Sequence, residues 1–293
     1  MAGQSARDIK RRINSVKNMR QITKAMEMVA AAKLRRAQAQ VLSSRPFTDK
    51  LREVLARVVS AARKGEGGVS HPLLDVRKEV SRVLYVLITA DRGLAGGYNV
   101  NVIRRFQSLL DEETREVAVV AIGRKGRDYL RKRGIEPLRE YVNLGDEIEY
   151  AVARSIAAEL MEDFTSGRFD EINMVYTEFV SVVSQRPVVQ RLLPVAEPEG
   201  ESDEAALEYI YEPDPASVIN ILLPRFVETQ VYGVLMEAKA SELGARMTAM
   251  RNATDNATEM IDQLTLNYNR ARQAGITKEI SEIVGGAEAI AAE

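Results

Sequence analysis

Residues 215–286, PASVINILLPRFVETQVYGVLMEAKASELGARMTAMRNATDNATEMIDQLTLNYNRARQAGITKEISEIVGG, decide how the chain is organised. Asp214-Pro215-Ala216 opens a helix, with an acid at the N-cap and a proline where the first turn loses no hydrogen bond. Pro224 predicts a short helix, a break or kink, and then one helix running to Gly285-Gly286. Between Arg225 and Val284 there is neither a proline nor a turn cluster. A helix of ~60 residues is roughly 90 Å long, more than one globular domain needs. Phe226, Val231, Val234, Leu235 and Ala238 begin an apolar stripe. From Gly244 to Thr258 the large side chains nearly vanish, and the stripe returns as Ile261, Leu264, Tyr268 and Ala271, then Ile276, Ile280 and Ile283. A helix inside an ordinary bundle and a helix received by something outside its own domain both satisfy this pattern.

The N-terminal segment repeats the theme. Ile9, Ile13, Val16, Ile22 (or Thr23), Met26, Ala30, Leu34, Ala37 and Val41 recur in steps of three and four. That seam, close to a 3.5-residue repeat, predicts a helix wound left-handedly on a partner helix. Its other faces are cationic, including Arg7, Lys10, Arg11, Arg12, Lys17, Arg20, Lys24, Lys33, Arg35 and Arg36. Residues 1–20 have the basic, acid-poor character of a transit peptide, but the pattern continues through Ala39 and reads as structure. Pro46 predicts a bend, after which the helix resumes from Lys50 to Arg63 and ends at Gly65-Glu66-Gly67-Gly68.

The middle changes period. Residues 82–89 are a buried-strand run, followed by the glycine-rich turn 91–97 and a helix over 99–110. A strand over 117–122, a basic helix over 125–133, a short strand within 136–142 and a helix over 146–165 follow. This alternation predicts a mainly parallel sheet with helices packed on it. Residues 171–183 and 188–193 read as a hairpin turned by Ser184-Gln185-Arg186-Pro187. The acidic stretch 197–214 reads as a solvated loop with an edge strand at 208–211. The expected fold is therefore α/β: long helices at 1–64 and 215–286, paired as an antiparallel left-handed coiled coil, bracket a Rossmann-like domain at 75–213.

The composition narrows the chemistry. With 45% apolar and 28% charged residues, the chain is globular, and its net charge of -1 selects no nucleic acid. It contains no cysteine and a single histidine, His71, in a loop signal, so no metal site or thiol nucleophile is expected. Tryptophan is absent and aromatics make up 5% of residues, which argues against a base-stacking platform. The glycines of the first strand–helix turn, Gly93, Gly96 and Gly97, do not make a G-x-G-x-x-G fingerprint. Gly123-Arg124-Lys125-Gly126 lacks the rest of a Walker loop. No cofactor and no catalytic residue is expected. An α/β nucleotide-binding protein with helical arms, and a basic coiled coil on nucleic acid, are the competing readings.

Three stretches carry a family resemblance. Residues 22–34 (ITKAMEMVAAAKL) resemble the N-terminal signature of the γ subunit of F-type ATP synthase. Residues 247–256 (MTAMRNATDN) and 269–286 (NRARQAGITKEISEIVGG) resemble its C-terminal signature, and 88–98 (ITADRGLAGGY) the opening of its central domain. The resemblance covers the whole chain in order. It implies a non-catalytic rotor: an antiparallel stalk inside a ring of α and β subunits, with the α/β domain below on the ε subunit and the membrane c-ring. Such a rotor transmits rotation to the catalytic β subunits and is peripheral to the membrane through its partners.

Matched position by position, the resemblance implies that Arg272 and Gln273 hydrogen-bond a catch loop of a β subunit. It implies that Lys24 and Met26 face the β lever segment, and that Arg246, Thr277 and Glu279 serve the same coupling. Chloroplast members insert a cysteine-bearing regulatory segment that this chain lacks. With no presequence pattern, the expectation is a non-photosynthetic bacterial enzyme on the cytoplasmic face of the plasma membrane.

Overall fold

The computed structural model describes residues 6–64, 71–196, 212 and 214–291. Helix α1 spans Ala6–Lys64 and helix α5 spans Pro215–Ala291. Between them lie strand β1 (Arg82–Ile88), α2 (Tyr98–Glu112), β2 (Glu116–Ile122), α3 (Arg124–Lys132), β3 (Arg139–Tyr141), α4 (Tyr150–Thr165), β4 (Glu171–Phe179) and β5 (Gln185–Leu193). The chain forms two compact units, one of residues up to Ala30 with those from Met247 on, the other of Ala31–Arg246. The inner halves of both terminal helices thus belong with the sheet.

In the larger unit the five strands run in the order β3-β2-β1-β4-β5. β1 is parallel to β2 and β4, β2 is parallel to β3, and only β5 is antiparallel. β1 reads as a continuous apolar run because both of its faces are covered. Val83, Tyr85 and Leu87 pack with Val102 and Phe106 of α2 and Leu130 of α3. Leu84, Val86 and Ile88 face the other way, into a core shared with Ile156 and Leu160 of α4. The same core takes Leu51, Leu55, Val58 and Val59 from α1 and Ile219, Leu223, Val227 and Val231 from α5. Asp170 fixes the entry to β1, accepting the N–H groups of Ser81 and Arg82 at 2.9 Å each and pairing with Arg77. Arg139 of β3 pairs in the same way with Asp163 of α4.

Several sequence expectations are corrected. Neither Pro46 nor Pro224 divides its helix, since α1 and α5 each carry a proline inside. A helix-interior proline costs ~3 kcal/mol. Burying Leu51, Leu55 and Val58 beyond the first, or Leu223 and Val227 around the second, outweighs that at ~1.5–3 kcal/mol each. Helix α5 also passes the expected stop at Gly285 and continues to Ala291. Asp214 does cap it, accepting the Ser217 N–H at 2.9 Å.

The β4–β5 turn lies earlier than expected, so Pro187 sits within β5, opposite Thr177. Among the described residues β5 has a neighbour on one side only, where a missing N–H is tolerated. Helix α4 begins at Tyr150 rather than Asp146, because Gly145 turns with φ +86° and Asp146 is drawn to Lys33 at 2.6 Å. His71 caps a short 3-10 helix at Pro72–Leu74, its Nδ1 accepting the Leu73 N–H at 3.1 Å. Its partial burial lowers the imidazole pKa. The expected strand at 208–211 and the turn at 65–68 lie outside the described residues.

Candidate functional site

In the smaller unit, α1 and α5 pair antiparallel. Ile9, Ile13 and Leu264 form a buried cluster, with Val16, Tyr268 and Ala271 packed on it. Further along, the Thr23 hydroxyl lies 2.8 Å from that of Thr254, and Arg251 Nε donates to Glu27 Oε1 at 3.2 Å. As the α1 number rises, that of its α5 partner falls. At the ambiguous seam position Thr23 is the buried residue, while Ile22 is 61% exposed. A threonine faces a threonine there, so the helices meet through hydroxyls instead of branched apolar chains.

Lys24 and Met26 flank this level. Lys24 Nζ donates to Glu27 Oε2 at 3.0 Å. The carboxylate is only 8% exposed. Lys24, and after it Arg251, hold the Glu27 pKa below the usual carboxylate range against the opposing pull of burial. Arg272, Gln273, Thr277 and Glu279 lie beyond Ala271, where the cluster with α1 ends. Every α5 side chain described from Arg272 to Gly285 is exposed. The apolar stripe that returns in the sequence at Ile276, Ile280 and Ile283 is therefore left uncovered among the described residues. These residues are 46%, 56% and 66% exposed, with Val284 beside them at 53%. At 1.5 Å per residue, Arg272 lies roughly 27 Å along α5 from Thr254, so the structure does not bring it together with Lys24.

Arg246 belongs to the larger unit and is spent internally. Its guanidinium donates to Glu242 Oε1 at 2.6 Å and to the Gly93 carbonyl at 3.2 Å. Sequence reasoning passed over Glu27, Arg251 and Thr254 as site residues. Once Thr23 is set against Thr254, the antiparallel register puts Glu27 opposite Arg251, and that was the available signal.

The crevice beyond the carboxyl ends of β1 and β4, where open α/β sheets take ligands, is filled by α5. Tyr98 donates its hydroxyl proton to the Ala238 carbonyl at 3.1 Å. Ala245 packs on Ala90, Ala95 and Tyr98. Gly244 lies so close to β4 that a Cβ there would fall 3.2 Å from the Phe179 ring. The start of α3 is occupied as well. Its first N–H groups, of Arg124, Lys125 and Gly126, donate to Asp91 Oδ1 at 3.0 Å, Ala90 O at 3.1 Å and Thr89 Oγ1 at 2.8 Å. A phosphate finds no free donors there. A remaining cavity of about 40 Å³, lined by Thr89, Gly123, Lys239 and Glu242 among others, has room for one or two waters. Among the described residues no acid or histidine cluster forms a metal site, and no helix is long and apolar enough to cross a membrane.

Comparison with known proteins agrees with this geometry. Residues 5–290 match the family model described as ATP synthase. The chain is 52% identical to the ATP synthase gamma chain of Pelotomaculum thermopropionicum, over 98% of this chain and 99% of the relative. It is 54% identical to that of Desulfitobacterium hafniense, over 98% and 99%. Among solved structures, it resembles a chain of the Tetrahymena thermophila mitochondrial ATP synthase central stalk and c-ring. That match has a TM-score of 0.60 and 26% identity, and covers 79% of this chain and 99% of that one. A chain of the Euglena gracilis mitochondrial enzyme shares the fold with a TM-score of 0.67 and 22% identity, over 97% and 94%. A paired-helix shaft, a sheet whose ligand crevice its own helix fills, and full-length agreement with bacterial gamma chains lead to one conclusion: this chain belongs to the ATP synthase γ-chain family.

Proposed function

We propose that this chain works as the central-stalk rotor of an F1 sector, carrying rotation of a membrane c-ring to catalytic β subunits and doing no bond chemistry itself. The observation that carries the reading is the bare end of α5, exposed on every side from Arg272 to Gly285 with Ile276, Ile280 and Ile283 among its side chains. Such a surface suits a shaft enclosed by other subunits. Arg272 and Gln273 are proposed to hydrogen-bond a β catch loop, with Thr277 and Glu279 contributing on the next turns. Lys24 and Met26 are proposed to meet the β lever segment one level lower. Arg246 is proposed to act indirectly, by tying α5 to the Gly93 turn. The α, β and ε subunits and the c-ring are the expected partners. The complex would lie peripherally on the cytoplasmic face of a bacterial plasma membrane.

The test is reconstitution of the chain with α and β subunits of its own organism. One copy per ring and ATP turnover that depends on the chain are expected. A chain that stays apart from the ring yet binds mononucleotide saturably would overturn the rotor reading in favour of a nucleotide-binding protein.

A further inference from the structure

The paired helices carry a polar layer within a seam that is otherwise apolar. Apolar contacts are non-directional, so Ile13, Ala257, Ile261 and Leu264 accept one another in more than one stagger. The layer does not. Thr23 and Thr254 meet hydroxyl to hydroxyl at 2.8 Å. Each hydroxyl also lies within reach of a carbonyl on its own helix, Arg20 at 3.1 Å and Met250 at 2.8 Å. A hydroxyl has one proton, so one threonine donates across the seam while the other donates back. Glu27, 8% exposed, has one carboxylate oxygen on Lys24 and the other on Arg251 of the facing helix.

We propose that Thr23, Glu27, Arg251 and Thr254 are positioning residues that fix the stagger of α1 against α5. A slip of one turn, ~5.4 Å, in one direction replaces Arg251 by Asp255 opposite Glu27, setting like charges together at a buried position. In the other direction Met247 and Met250 come opposite Glu27 and Thr23, leaving the carboxylate without its cross-helix cation. The apolar layers tolerate either slip; the polar layer penalises both, which is how single buried polar groups select register in coiled coils. In a rotor, this stagger fixes where the Lys24 and Met26 face stands along the shaft from the Arg272 level. The consequence for rotation rests on the rotor reading, whereas the stagger itself is measured on the free chain, so the two can fail separately.

The test uses the full chain, which has no cysteine of its own. Spin labels on Asn18→Cys and Glu259→Cys, both exposed positions, report the stagger as a distance distribution. The parent should give one narrow distance. Glu27→Leu, alone or with Thr23→Val and Thr254→Val, should add a second population displaced by roughly one turn. The melting temperature should hold, because Lys24 and Arg251 are 54% and 62% exposed and return to water, so no buried charge is left unpaired. Arg251→Asp alters an exposed head and serves where the apolar variants fail to fold; it too should split the distribution. A single unshifted distance in folded Glu27→Leu and Arg251→Asp chains would overturn the proposal and leave the layer a source of stability alone.

Discussion

Gly123→Ala should be among the most damaging single-methyl additions in the sheet unit. Gly123 has φ +92° and precedes α3, and a Cβ built there would lie 2.1 Å from the Thr89 carbonyl oxygen and 2.6 Å from its carbon. Holding an alanine at φ 92° and ψ 140°, a region reserved almost wholly for glycine, costs ~1–3 kcal/mol. The Thr89 peptide would also have to retreat by about 1 Å to reach ordinary contact distance. That peptide cannot retreat freely. The Ala90 N–H of that peptide donates to Asn99 Oδ1 at 2.9 Å, and Thr89 Oγ1 accepts the Gly126 N–H at 2.8 Å. Losing both adds about 2 kcal/mol, for a total of ~3–5 kcal/mol. At about 2–4 °C per kcal/mol for a domain of this size, the melting point should fall by roughly 6–20 °C.

Two controls separate the contributions. Gly134 has φ +71° and nothing lies within 4 Å of where an added methyl would stand, so Gly134→Ala should show the backbone cost alone, ~1–2 kcal/mol. Gly233, inside α5 with nothing within 4 Å, has neither problem, and Gly233→Ala should stabilise by ~0.5–1 kcal/mol. Thermal melts followed by near-ultraviolet circular dichroism of the sheet-unit tyrosines would rank the three. If Gly123→Ala melts within about 2 °C of Gly134→Ala, the clash with Thr89 is not what matters and the reasoning fails.

Acid should weaken the same unit through Glu113, whose pKa is held down at about 2 by Arg115 first and by Tyr85 as well. A depressed carboxylate pKa contributes stability in full above its unfolded value near 4.5 and loses it as pH falls toward 2. The Glu113 side chain is 8% exposed and held by Arg115, so urea melts of Glu113→Gln should show a flatter pH dependence than the parent below pH 4.5. Leu55, fully buried where α1 meets the sheet, should cost ~2–5 kcal/mol as Leu55→Ala in chemical denaturation. Arg272→Ala with Gln273→Ala should leave the melting point within about ±0.5 kcal/mol equivalents, since both side chains are exposed. The same pair should lower turnover of the reconstituted complex by roughly ten- to a hundredfold if together they lose one charge-assisted contact of ~1.5–3 kcal/mol. Unchanged turnover in an assembled complex removes the catch assignment.

Strand β1 was legible because Arg82–Ile88 is buried on both faces and so reads as one apolar run. The antiparallel pairing was legible too, since two long stripes flank one α/β segment. What misled were the prolines, read as local rules when tertiary burial decides. Leu51 and Leu55 hold α1 together past Pro46, and Ile219 and Phe226 do the same around Pro224. At position 22 or 23 the apolar rule prefers isoleucine, yet the structure buries threonine because a hydroxyl on the facing helix completes it. Of the candidate site, the exposed tip around Arg272 came from family motifs rather than periodicity. Arg246 shows the limit of that route, because a motif match does not reveal that the side chain is already engaged by Glu242 and Gly93.

The inner halves of both terminal helices are packed into the sheet's own core, from Leu51 to Val59 on one and from Ile219 to Ala238 on the other. Asp146 adds a bridge, pairing with Lys33 of α1 at 2.6 Å and reaching Lys239 of α5 at 3.8 Å. The joint between wheel and axle is therefore a spline instead of a pin. A twisting load on the sheet is shared by many interlocked side chains over several helical turns. No single bond carries it. Damage to one tooth of such a joint should reduce stiffness by degrees, while an inserted glycine-rich linker at the same place would let the wheel turn without its axle.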